Sequence, residues 1–266
     1  MDIRENFSLE YLCLYINYYQ NILDSIPVVY LIKKRDGKHK IRAVDSHTQK
    51  IIHEYLLPSS QGQALLKNKE YRAKLQQQLD TYKQIWNNKT TQAIPKLEIQ
   101  KLMTPKNFDD ISFYNRLVPE EAFRKYGKNE HPYAYKGIYM RSKLEMLVAT
   151  ILDKLDLNYK YEPLLMLGNY EKYPDFFIAL PFLNACFPTE VAGQMVKSSY
   201  RKKTLNDLDK YYFEGYIFNK NLLLIIEDED NPANDDVIAS VICDFINRIV
   251  HEAFISAQIH NNLKSN

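Results

Sequence analysis

The sequence predicts an α/β protein: a mixed sheet core flanked by helices, preceded by an amino-terminal appendage of helix, β-hairpin and long helix. Three observations carry that expectation. Residues 142–155 (SKLEMLVATILDKL) repeat apolar side chains at helical spacing. Residues 173–194 hold two short runs of aromatic, β-branched and apolar types, closed by Pro181 and Gly193. Residues 221–226 add another apolar run, of the kind buried in a mixed sheet, followed by an amphipathic helical pattern over 235–257. The boundaries expected are an appendage over 1–90, a linker over 91–106 and the main domain over 107–266.

Bulk properties narrow the class. A chain of 266 residues can bury one sizeable core and carry an appendage. Cys13, Cys186 and Cys243 lie far apart, so neither a disulfide framework nor a zinc cluster is expected, which points to a reducing, cytoplasmic setting. Neither a signal sequence nor an apolar run of membrane-spanning length is present, so no membrane partner is expected. Net charge is only +2, and a polyanion partner would have to be recognised by local charge. Oligomeric state is not readable.

Residues 8–24 carry apolar side chains at helical spacing behind Ser8, a candidate N-cap. Their tyrosine and leucine stripe suits packing, or a protein partner. Residues 27–44 read as a hairpin, because Asp36-Gly37 is a strong turn signal between strand-like runs. Its tip is basic: Lys33, Lys34, Arg35, Lys38, Lys40 and Arg42, with His39, face the single acid Asp36. These six cations are candidate nucleic-acid contacts, since a basic ribbon can follow a phosphate backbone. The alternative is a solvated hairpin with lysines guarding its edges. From His47 to about Asn88 the pattern reads as helical, broken at 58–62 (PSSQG), and residues 63–86 form a long polar helix with a thin apolar stripe.

In the main domain, residues 119–126 fit a short helix, and His131-Pro132-Tyr133 an extended turn leading to Gly137. Ser142 and Glu145 form a capping-box pattern at the start of the 142–155 helix. Residues 158–167 are expected as the first core strand, with Glu162 structural and paired with a lysine. Residues 197–212 read as a basic helix, and 227–230 as a solvated acidic loop.

Asp175 and Glu190 stand out because each lies in an apolar strand, where an uncompensated carboxylate costs several kcal/mol. Each could cap a strand end or pair with a lysine; together they could hold a divalent cation, which takes carboxylate oxygens, water and phosphate. The motifs around them, in order, are Arg141-Ser142-Lys143-Leu144-Glu145, Tyr161-Glu162-Pro163, Pro174-Asp175-Phe176 and Glu190-Val191-Ala192-Gly193, then Tyr200, Tyr211, Gly215 and the run 221–227. This pattern, over roughly residues 110–245, resembles the PD-(D/E)XK nuclease superfamily, the restriction-endonuclease-like fold. It resembles most a group of small proteins of Gram-positive bacteria within it.

The resemblance implies a Mg²⁺- or Mn²⁺-dependent nuclease acting on DNA. It makes Asp175 and Glu190 direct metal ligands, Glu145 a ligand directly or through water, and the carbonyl of Val191 a further ligand. The superfamily places a catalytic lysine two residues after the second acid, where this chain has Ala192. A helix position that can supply it instead falls on Asp207. Lys203 or Lys143 is therefore the expected substitute. These departures keep a second reading open: a degenerate nuclease fold that binds nucleic acid or a regulatory partner without cutting.

Overall fold

The computed structural model describes residues 2–34, 36–97, 105, 107–227 and 234–264, with side chains through 255. The chain is mixed α/β and divides into two compact units: residues 11–99, and residues 1–10 together with 100–266. The first ten residues thus join the larger unit, a departure from the expected boundary. Ser8 N–H donates to Asn247 Oδ1, Asn247 Nδ2 donates to the Asn6 carbonyl, and Arg4 pairs with Asp156. Arg35, half of the expected linker (98–104 and 106) and the acidic residues 228–230 lie outside the described residues.

The smaller unit contains most of α1 (Leu9–Ser25), strands β1 (Val28–Lys33), β2 (His39–Val44) and β3 (Ile51–Leu56), and α2 (Ser60–Lys89). The strands form an antiparallel sheet in the order β1-β2-β3. β3 corrects the helical reading of this stretch. Ile51, Ile52 and Tyr55 are strand-favouring types, and Asp45 builds the preceding turn by accepting from His47 N, Thr48 N and Thr48 Oγ1. The break at 58–62 starts α2: Ser59 Oγ accepts from Gly62 N. Only glycine fits at position 62, since a Cβ there would collide with the Leu56 carbonyl oxygen. The narrow stripe expected on α2 is seen as buried Leu65, Leu75, Leu79, Tyr82, Ile85 and Trp86. Val29, Ile41, Ala43 and Leu65 make the sheet-to-helix core.

The larger unit runs α3 (Ile111–Arg116), α4 (Glu121–Tyr126), β4 (Tyr133–Tyr135), β5 (Ile138–Met140), α5 (Lys143–Lys154), β6 (Asn158–Tyr161), β7 (Leu165–Leu167), β8 (Tyr170–Lys172), β9 (Phe176–Leu180), β10 (Ala185–Ala192), α6 (Ser198–Phe213), β11 (Leu223–Ile226) and α7 (Asp235–Lys264). Its main sheet has the order β11-β10-β9-β6, with β10 and β11 parallel and the other pairs antiparallel. The expected turn after His131 is the entry to a small hairpin, β4-β5, closed by Lys136 and Gly137, both at positive φ. The expected strand over 158–167 is two strands. Glu162 adopts φ +42 and Pro163 follows, so the chain leaves the main sheet after Tyr161 and β7 pairs with β8 instead.

Alternation along β9 and β10 sorts their side chains between two faces. Phe177, Ala179 and Cys186 pack with Leu165, Leu167, Tyr211 and Leu222, against α3 and α6. Phe187 points the other way and meets Phe245 of α7. The loop between α6 and β11 is pinned by buried Asn221, which accepts from Ile217 N and donates to the carbonyls of Asn107 and Gly215. Asn221→Ala removes all three bonds in a dry setting. It should cost about 2–3 kcal/mol and lower the urea midpoint with an unchanged slope, measured by far-UV circular dichroism.

Candidate active site

Strand register alone brings the two key acids together. In the β9/β10 ladder Leu180 faces Ala185, Phe177 faces Pro188 and Phe176 faces Thr189. One step further along that register, Asp175 stands opposite Glu190. By alternation both point to the α6 face, the side of Phe177 and Cys186. Directly opposed cross-strand side chains are close enough to interact strongly, and like charges there are destabilising.

Each acid is held by a specific donor. Asp175 Oδ2 accepts from Val191 N at 2.6 Å. Glu190 Oε1 accepts from the phenol of buried Tyr211 at 2.6 Å, and Lys172 Nζ lies 3.3 Å from the same oxygen. Asp175 Oδ1 and Glu190 Oε2 carry no hydrogen bond among the described residues. Burial raises the Asp175 carboxyl well above the usual carboxylate range, with the charges of Glu190 and Glu145 adding to it; Val191 N–H and Lys172 oppose the shift. Burial also raises Glu190, against the pull of Lys172 and Tyr211.

Glu145 approaches the same acids from the start of α5. Its Oε1 accepts from Ser142 Oγ while Ser142 Oγ accepts from Glu145 N, so Ser142 caps the helix, but the return bond runs to its hydroxyl and not to the backbone N–H that a capping box uses. Its Oε2 accepts from Tyr161 Oη at 2.6 Å and from Arg141 N at 3.1 Å. Both oxygens of this buried carboxylate are therefore engaged, although its charge is felt at Asp175.

The lysines expected near the acids are elsewhere. Lys143 and Lys203 are both exposed, and no hydrogen bond or ion pair joins either to the acids. Lys172, at the end of β8, takes that place. Burial works against its ammonium, but Glu190, Asp207 and Asp175 outweigh it and hold the proton more tightly than usual. Asp207, the helix position at which the resemblance implies a lysine, lies 3.2 Å from Lys172 Nζ and 3.0 Å from Lys210 Nζ. Burial raises its carboxyl, yet these two lysines hold it below the ordinary range. Tyr200 is also beside the cluster: burial and the charges of Asp175, Glu190 and Glu145 push its phenol upward, so it stays a donor.

Among the described residues, no three acidic, histidine or cysteine side chains stand close enough to form a ready metal cage. The donor set left over is Asp175 Oδ1, Glu190 Oε2 and the Val191 carbonyl, which the pleat turns to the same edge as the Val191 amide. Two carboxylates and a carbonyl fit a hard cation that completes its shell with water and substrate phosphate. The raised carboxyls also favour such an ion, because it relieves repulsion that otherwise has to be met by a proton.

The basic hairpin is weaker as a polyanion contact than its sequence suggests. Glu54 of β3 pairs with Lys40 at 2.5 Å and with Arg42 at 2.7 Å, offsetting one of the two positive charges at the centre of the ribbon. Lys33, Lys34 and Lys38 are exposed, with Asp36 3.9 Å from Lys38. Likewise Glu162, expected to pair with a lysine, pairs with Arg141 and His131.

Comparison with family models, with characterised proteins and with solved structures finds no match. No described helix is long and apolar enough to cross a membrane.

Asp175 supplies a pH test. Its folded pKa lies above the unfolded value, so the native state holds more protons between the two and stability falls as pH rises through that window. Asp175→Asn removes the penalty while its side-chain carbonyl still accepts from Val191 N. In EDTA at about pH 8 the variant should melt roughly 2–4 °C higher, the shift that one kcal/mol produces at this size. Below about pH 4 the gain should vanish in differential scanning calorimetry.

Proposed function

We propose that the larger unit is a metal-dependent phosphodiesterase acting on DNA, built on a restriction-endonuclease-like core. One observation carries the reading: Asp175 and Glu190 oppose each other at a strand end with an ammonium, Lys172, held against Glu190. Asp175, Glu190 and the Val191 carbonyl would hold Mg²⁺ or Mn²⁺. A cation bound there polarises the phosphoryl oxygen and acidifies a water molecule.

The chain's own residues supply the remaining chemistry. Lys172 stays protonated, so it acts as a fixed positive donor for the oxygen charge that builds up in the transition state, not as a base. Tyr211 fixes the rotamer of Glu190, and Val191 N–H fixes Asp175. Glu145 adds negative potential and orders the loop before α5. Lys197, Arg201, Lys202 and Lys203 on and before α6 are exposed and pair with no described acid, a local excess suited to a phosphate backbone. The exposed lysines of the β1-β2 hairpin, Lys33, Lys34 and Lys38, are a separate candidate contact carried by the smaller unit.

The non-cutting alternative draws on the self-compensation of the cluster, since Lys172 is shared between Glu190 and Asp207. Incubation with plasmid and single-stranded DNA in Mg²⁺, Mn²⁺ or EDTA separates the two readings. Cleavage should require metal, be abolished in Asp175→Ala, and fall by about 10²–10³ in Lys172→Met with DNA binding kept. Binding without cutting under every metal condition would establish the alternative.

A further inference from the structure

Arg141 is built into the larger unit in a way that its structural neighbours do not need. Its Nε lies 2.7 Å from Glu162 Oε1 and 3.4 Å from His131 Nε2. Glu162 and His131 are buried, at 1% and 0% exposure, with Glu162 Oε2 2.6 Å from His131 Nε2. His131 Nδ1 is in turn 2.9 Å from the Gly127 carbonyl. Burying a carboxylate and an imidazole is costly, and Glu162 also takes a left-handed backbone that a non-glycine residue adopts only when its surroundings force it.

All of this converges on one guanidinium, and only on its inner edge. The two terminal nitrogens of Arg141 make no hydrogen bond among the described residues, and its side chain is 39% exposed. The ring of Tyr126 backs it, with Cζ 5.4 Å from the centroid. The nearby cation Lys125 is by contrast committed to Glu171 at 2.5 Å. A guanidinium anchored through Nε, backed by an aromatic face and open at its outer fork matches the planar, bidentate geometry that oxyanions accept. Its place is set as well: the backbone N–H of the same residue donates to Glu145 Oε2, and Glu162 N donates to the Asp175 carbonyl.

We infer that Arg141 is a phosphate clamp, gripping a backbone phosphate of the substrate strand beside the acids. Its identification with a DNA phosphate rests on the phosphodiesterase reading; its capacity for an oxyanion does not. Glu162 and His131 are positioning residues that hold the fork outward.

The test uses the full chain carrying Asp175→Asn, so that nothing is cut, and a short fluorescein-labelled DNA duplex followed by anisotropy over a salt series. Adding Arg141→Gln with Glu162→Gln removes both charges together and avoids stranding a buried carboxylate. Affinity should fall about tenfold and the salt slope by about 1. Glu162→Gln alone keeps the cation but frees it, so affinity should fall with the slope unchanged, an outcome that general destabilisation does not produce. Equal affinity and slope in all three proteins would overturn the clamp.

Should the parent bind no DNA, the phosphodiesterase reading falls and the clamp is read separately. Inorganic phosphate is titrated into ¹⁵N-labelled protein, following the Nε–H resonance assigned by its loss in Arg141→Lys. A saturable shift keeps the oxyanion site, and an unmoved resonance removes it.

Discussion

Two carboxylates facing each other across antiparallel strands repel, and the surroundings of Asp175 and Glu190 are arranged around that repulsion. A backbone amide takes one oxygen of Asp175, a buried phenol takes one oxygen of Glu190, and an ammonium lies against the latter. These bonds do not restore ordinary carboxyls: burial keeps both above their usual range, and at Asp175 the charges of Glu190 and Glu145 add to it. A sheet built for stability alone would place an apolar pair at this register, as it does two steps earlier with Phe177 and Pro188. The oxygens left open define where a cation would relieve the pair.

The lysine problem shows how the same charge can reach one point by different routes. Ala192 lies two residues past Glu190, so it shares that face, but it is buried and flanked by β11. An ammonium there would have to be desolvated. The chain instead brings Lys172 in on the β7-β8 ribbon, outside the main sheet, and balances it with Asp207 from α6. The charges of Lys172 on the ribbon and Asp207 on the helix offset each other.

Much of this was legible in the sequence. The helices at 143–154 and 198–213 and the strands at 176–180, 185–192 and 223–226 follow from period and composition, and Ser142 caps the first of these helices as its spacing indicates. Asp175 and Glu190 could be singled out because charge in an apolar run is anomalous at any register. Lys172 could not, since it stands in a short polar strand (YEK) with no periodicity, and its neighbours are set by the β7-β8 pairing. The split at Glu162 was hidden for a related reason: positive φ at a glutamate is imposed by tertiary contacts. Residues 51–56 form a strand where the pattern reads as helical, because IIHEYL fits a helix or a strand equally well until β2 offers its edge. Glu54 engages two cations and offsets one of their charges in a patch that reads as strongly basic along the chain.

Because β10 and β11 run parallel, the chain between them has to travel back along the sheet, and α6 is that return path. The helix bearing the unmatched cations is thereby tethered at both ends to adjacent core strands. Through Tyr211 it also grips Glu190. A polyanion lying on the helix would pull on the same mechanical linkage that aims the carboxylate, so capture and alignment would share a single lever.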